Sequence, residues 1–75
     1  MNEEQRVKEL LAAVLGVDAS SIDETSTIET IPSWDSMAVL SISLAVEEEF
    51  EFMLTPEEQL EMGSYQRILQ LVKGK

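Results

Sequence analysis

Residues 33–36 read S-W-D-S, directly ahead of the apolar run M-A-V-L-S-I-S-L-A-V and the acidic stretch E-E-E-F. These are among the few positions in the chain with chemistry to offer, because it contains neither cysteine nor histidine. Disulfides, thiolate metal sites and a cysteine nucleophile are thereby excluded. The commonest general base and metal ligand is missing as well. Any chemistry must use carboxylates, or a group added later. The question is whether Ser36 merely starts a helix or is the functional centre.

The elements that must position these residues follow from length and pattern. Seventy-five residues make a single domain, 1–75. A chain of this size buries only about 60% of its surface on folding, which suits a small helical bundle better than a deep catalytic cleft. The amino-terminal M-N-E-E-Q-R is acidic rather than basic then apolar, unlike a signal peptide. No apolar run approaches the roughly 20 residues that span a bilayer. The chain reads as a soluble, cytosolic monomer and not as an enzyme. Its net charge is −10, and Arg6, Lys8, Arg67, Lys73 and Lys75 all lie near the two ends. Nucleic acid and anionic membrane are poor partners for such a chain; a basic protein surface is a good one. The segment D-E-T-S-T-I-E-T lacks the alternating oxygen ligands and central glycine of a calcium loop.

The pattern predicts an all-α four-helix bundle with one short helix. Asn2 caps the first helix, with Gln5 completing a capping box. Val7, Leu10, Leu11, Val14 and Leu15 keep helical spacing up to Gly16. Residues 17–35 form a long loop pinned by Val17, Ile22, Ile28 and Ile31, a length that often signals function. Asp35 caps the second helix, which runs to Phe50, with Trp34 and Val39 placed as a hydrophobic staple. Thr55, Pro56 and Glu58 open a short third helix, and Gly63 breaks it. Ser64 caps a fourth, carrying Tyr65, Ile68, Leu69 and Val72 on one face.

On the second helix, Val39, Ile42, Val46 and Phe50 share one stripe at about 100° per residue. Met37, Leu40 and Leu44 form another, with Ser36, Ser43 and Glu47 on a polar line between them. One stripe holds a helix on a small core; the second suggests a partner surface or a slot for an apolar ligand. Glu47, Glu48, Glu49 and Glu51 crowd the negative end of the helix, where each costs roughly 0.3–1 kcal/mol. No basic residue stands three or four positions away. This combination reads as a docking patch.

D-S-M, the striped helix and E-E-E-F together resemble the D-S-L…E-E-E-F core of acyl carrier proteins, and the resemblance extends over essentially the whole chain. It implies that a separate phosphopantetheinyl transferase esterifies Ser36 with 4′-phosphopantetheine from coenzyme A. The arm's thiol would then carry acyl groups as thioesters between loading and transferring enzymes with basic surfaces. Asp35 and Met37 belong to the attachment motif, while Met37, Leu40, Leu44, Glu47 and Glu48 meet partners. Met37 stands where the family has leucine, a mild change. Ala38 and Ser41 are uncharged where many fatty-acid carriers place acids. That departure suggests a specialised aminoacyl or polyketide-like pathway over housekeeping fatty acid biosynthesis. The competing reading is an unmodified acidic module that uses the same fold to dock on a basic protein.

Apart from Glu3 and Glu4, every acid lies at residues 9–61, where no base stands. Self-repulsion among them opposes compaction. Added salt or millimolar divalent cations should therefore raise the melting temperature; indifference to both in a thermal melt would show that the acids are well separated.

Overall fold

The computed structural model describes residues 2–74. Among them four α-helices form: α1 (Glu3–Leu15), α2 (Ser36–Phe50), α3 (Pro56–Gln59) and α4 (Tyr65–Lys73). No named strand occurs among these residues; an isolated bridge pairs Thr27 with Ser64. The all-α bundle expected from the pattern is the observed architecture.

The start of α1 is held by Asn2, whose Oδ1 accepts from the Gln5 amide at 2.9 Å. The reciprocal half of the expected capping box gives way to another pairing: the Gln5 side-chain amide donates to Glu9 Oε2 at 3.0 Å, one turn along. A carboxylate four residues away is a charged, stronger acceptor. Gly16 ends the helix at φ +72, and both its amide and that of Val17 return to the Ala12 carbonyl. Only glycine adopts this left-handed backbone without cost. Val7, Leu11 and Leu15 are buried, while Leu10 and Val14 are half-buried. The buried stripe is narrower than the apolar pattern implied.

The long connection is more structured than its sequence suggested. A 3₁₀ turn covers Ala19–Ser21. Asp23 Oδ1 then accepts from the Thr25 hydroxyl at 2.6 Å and the Thr25 amide at 2.9 Å. These bonds, that from the hydroxyl first, hold the Asp23 carboxyl below its ordinary pKa. Ile22 is buried as expected, and Val17 and Ile31 pack at the edge of the core. Ile28 departs from expectation, its side chain being 42% exposed. Its backbone does the anchoring, since the Ile28 amide donates to the Gly63 carbonyl at 2.9 Å. Next to it, the carbonyl of buried Ser26 accepts from the Tyr65 amide at 3.0 Å. Trp34 closes the loop: it is buried, and its indole N–H donates to the Met62 carbonyl at 3.1 Å.

The helices downstream follow their local signals. Thr55 and Glu58 form the full reciprocal capping box of α3, with Pro56 at its first position. Ser64 caps α4, which buries Tyr65, Ile68 and Val72 and leaves Leu69 half-buried. The core unites these with Leu11, Ile42, Val46 and Met62. Burial raises the Tyr65 phenol above its ordinary pKa, and the nearby Glu4 and Glu24 charges add to the effect.

One backbone position is strained. Glu51, the C-cap of α2, takes φ +58 and ψ +47 without being glycine. Its amide and that of Phe52 both reach the Glu47 carbonyl, closing the helix. A side chain in this region costs on the order of 1 kcal/mol. Glu51→Gly is expected to stabilise the fold by about 0.5–1 kcal/mol, part of the gain being lost to greater freedom of the unfolded chain. Chemical denaturation against the unsubstituted protein measures it.

Candidate functional site

Ser36 is the first residue of α2 and is exposed. Three neighbours fix its setting. Trp34, two residues earlier, ties the chain to the Met62 carbonyl and so locates the helix start. Asp35 has an extended backbone, and its Oδ1 accepts from the Ala38 amide at 2.9 Å. The cap is therefore supplied by Asp35, and the Ser36 hydroxyl is not needed for it. Ser33 is used differently: its hydroxyl donates to the Leu15 carbonyl at 2.8 Å and so satisfies an acceptor in the last turn of α1. Of the two serines in S-W-D-S, one is committed to the scaffold and the other stands at the positive end of a fifteen-residue helix. The first turn of α2 carries no acid, so a negative group on Ser36 would meet the helix dipole favourably.

The two stripes of α2 face opposite environments. Ile42 and Val46 are fully buried. Met37, Leu40 and Leu44 are 71%, 56% and 65% exposed, so the second stripe lies in solvent on the same side as Ser36. Met53 and Leu60 are also largely exposed. The sequence reading did not single them out, because an isolated Leu or Met near a short helix carries no periodic signal.

The polar line between the stripes is partly structural. Ser43 is buried and donates to the Val39 carbonyl at 2.9 Å. Glu47 is half-buried, and its Oε2 accepts from the Leu54 amide at 2.8 Å, fastening the connection into α3. It is therefore not simply a solvated charge. Glu48 is exposed and projects from the helix. No base within α2 relieves this acidic end, but a long-range contact from outside the helix relieves Glu49. Arg6 of α1 reaches Glu49 Oε2 at 3.0 Å and the Glu49 carbonyl at 2.8 Å, with its guanidinium 4.5 Å from the centre of the Phe50 ring. Sequence spacing within α2 could not reveal a partner forty-three residues away.

Comparison with known proteins bears on what this arrangement serves. The family model described as a phosphopantetheine attachment site matches residues 5–72. An acyl carrier protein of Buchnera aphidicola subsp. Baizongia pistaciae is 31% identical over 72 residues, covering 96% of this chain and 92% of that protein. One from Clostridium acetobutylicum is 31% identical over 71 residues, covering 93% and 91%. The chain belongs to the acyl carrier protein family. A second Buchnera relative, from subsp. Schizaphis graminum, is 22% identical over 74 residues, covering 99% and 94%. As a carrier of this family, the protein holds acyl intermediates on a 4′-phosphopantetheine arm. The thiol at the end of that arm supplies the thioester chemistry that a chain lacking cysteine cannot. An exposed serine at a helix start whose cap is carried by another side chain is a suitable point of attachment. Among the described residues no helix is long and apolar enough to cross a membrane, and no cluster of three or more acids could hold a metal ion.

The exposure of the second stripe means that its side chains contribute little to folding stability. Met37→Ser and Leu40→Ser should each change folding stability by no more than about 0.5 kcal/mol, as at other exposed positions. Glu47→Ala, which strands the Leu54 amide, should cost about 1 kcal/mol, more than Glu48→Ala. Thermal unfolding of the four variants tests this order.

Proposed function

We propose that Ser36 is the residue to which phosphopantetheine is attached. The observation that carries this reading is the division of labour at the start of α2: Asp35 caps, Ser33 is held by Leu15, and Ser36 is exposed. In the transfer, the Ser36 oxygen forms a new bond to the phosphorus that bears the pantetheine. The pyrophosphate link of coenzyme A breaks, the hydroxyl proton is lost, and the nucleotide bisphosphate leaves. A phosphopantetheinyl transferase catalyses this step, and the carrier itself performs no catalysis. The attached phosphodiester then lies at the positive end of α2.

The same reading assigns the surrounding surface to partner enzymes. Met37, Leu40 and Leu44 make contact beside the arm, while Glu48, with the free oxygen of Glu47, steers basic partners from a distance. The chain acts as one carrier domain in the cytoplasm. The absence of acids in the first turn of α2 supports an aminoacyl or polyketide-like cargo.

Intact-mass measurement after incubation with coenzyme A and a phosphopantetheinyl transferase tests the assignment. The unsubstituted chain and Ser33→Ala should each gain one arm, and Ser36→Ala none while remaining folded by circular dichroism. An arm on Ser36→Ala overturns the assignment. No arm on the unsubstituted chain, with a transferase that loads a control carrier, would favour the unmodified docking module.

A further inference from the structure

An open groove of about 590 Å³ runs between α1 and α2, away from the Ser36 stripe. Its floor is apolar: Leu10, Ala13 and Val14 from α1 and Ala45 from α2. Leu10, Val14 and Ala45 are half-buried and Ala13 is exposed, so the floor is reachable from outside. Alanine at two of these positions keeps the trough open, since a long side chain at either would fill it.

The rim is acidic. Glu9, Glu48 and Glu49 line it and are exposed. Arg6 is the cation among the lining residues, and it is already engaged by Glu49 and the Phe50 ring. At about 100° per residue, Ala45 lies half a turn around α2 from Ser36. The groove floor and the proposed point of attachment therefore face different directions.

We propose that this groove is a second docking site, and that its occupant is a basic amphipathic helix of a partner protein. Apolar side chains one turn apart on such a helix would lie along the alanine floor, as in other helix-in-groove complexes. Flanking Lys or Arg residues would meet Glu9 on one wall and Glu48 on the other. Nucleic acid and anionic lipid carry the wrong sign for this rim, and a second copy of the chain brings the same negative charge. A partner held here leaves Ser36, Met37, Leu40 and Leu44 uncovered, with Glu48 standing between the two surfaces, and the site does not depend on whether Ser36 is modified.

The test titrates the ¹⁵N-labelled full chain with a synthetic helical peptide bearing Leu and Ala on one face and Lys and Arg beside it. A peptide with every Lys and Arg changed to Glu is the control. Saturable chemical-shift changes are expected at Leu10, Ala13, Val14 and Ala45, with no binding of the control. Ala13→Arg should weaken binding about tenfold or more, by bulk and by like charge, and Glu9→Lys should weaken it too. Leu40→Ser should leave it within about twofold, because that residue lies outside the groove. Ala13 is exposed on a helix, so its substitution is compatible with folding, and circular dichroism verifies this. The proposal is overturned if shifts centre on Met37, Leu40 and Leu44, if Ala13→Arg and Glu9→Lys bind like the unsubstituted chain, or if no saturable binding occurs.

Discussion

Much of this small bundle depends on where Trp34 goes. It is buried at the end of a long polar connection, and its N–H is satisfied by the Met62 carbonyl. Tryptophan brings the largest apolar surface of any side chain, but its N–H must find an acceptor when buried. Here a single bond joins the segment before α2 to the turn before α4. The connection is drawn in, Asp35 is left outside as a cap, and Ser36 emerges at the surface. On the proposed attachment at Ser36, this anchor would give the flexible arm a rigid base without using the serine itself.

The rest of the connection is held by backbone rather than by side chains. The Ser26 carbonyl and Ile28 amide pair with Tyr65 and Gly63, giving a loop without named strands a fixed path over α4. That is why an exposed Ile28 is tolerated. At the other end of α2, Glu47 and Arg6 make the corresponding connections, one to the Leu54 amide and one to Glu49 and Phe50. The helix that presents Ser36 is thus fastened at both ends, and the stripe between is free to face solvent.

How much of this was legible in the sequence depends on the range of the interaction. The caps at Asn2, Asp35, Thr55 and Ser64 were readable because each acts within three residues. The boundaries of α2 and its two faces were readable for the same reason, since helical spacing is a local code. Ser36 stood out through the D-S-M and E-E-E-F context, although its spacing alone would have marked only a helix start. Contacts across the fold were not legible: Ser33 with Leu15, Glu47 with Leu54, and Arg6 with Glu49. Each joins groups whose neighbourhood exists only after the bundle closes. In two of these cases a residue read as a free surface group is a structural fastener.

The anchoring of Trp34 has a further consequence, a photophysical one. The chain contains one tryptophan, so all of its indole emission comes from a ring sealed in the core two residues before Ser36. Enclosed in apolar surroundings, that ring emits to the blue of an exposed indole and is shielded from dissolved quenchers such as iodide. An event that loosens the entrance of α2 shifts the emission to the red, whereas one confined to the solvent stripe leaves it unchanged. The molecule thus carries its own optical gauge of whether the ground beneath its serine is firm.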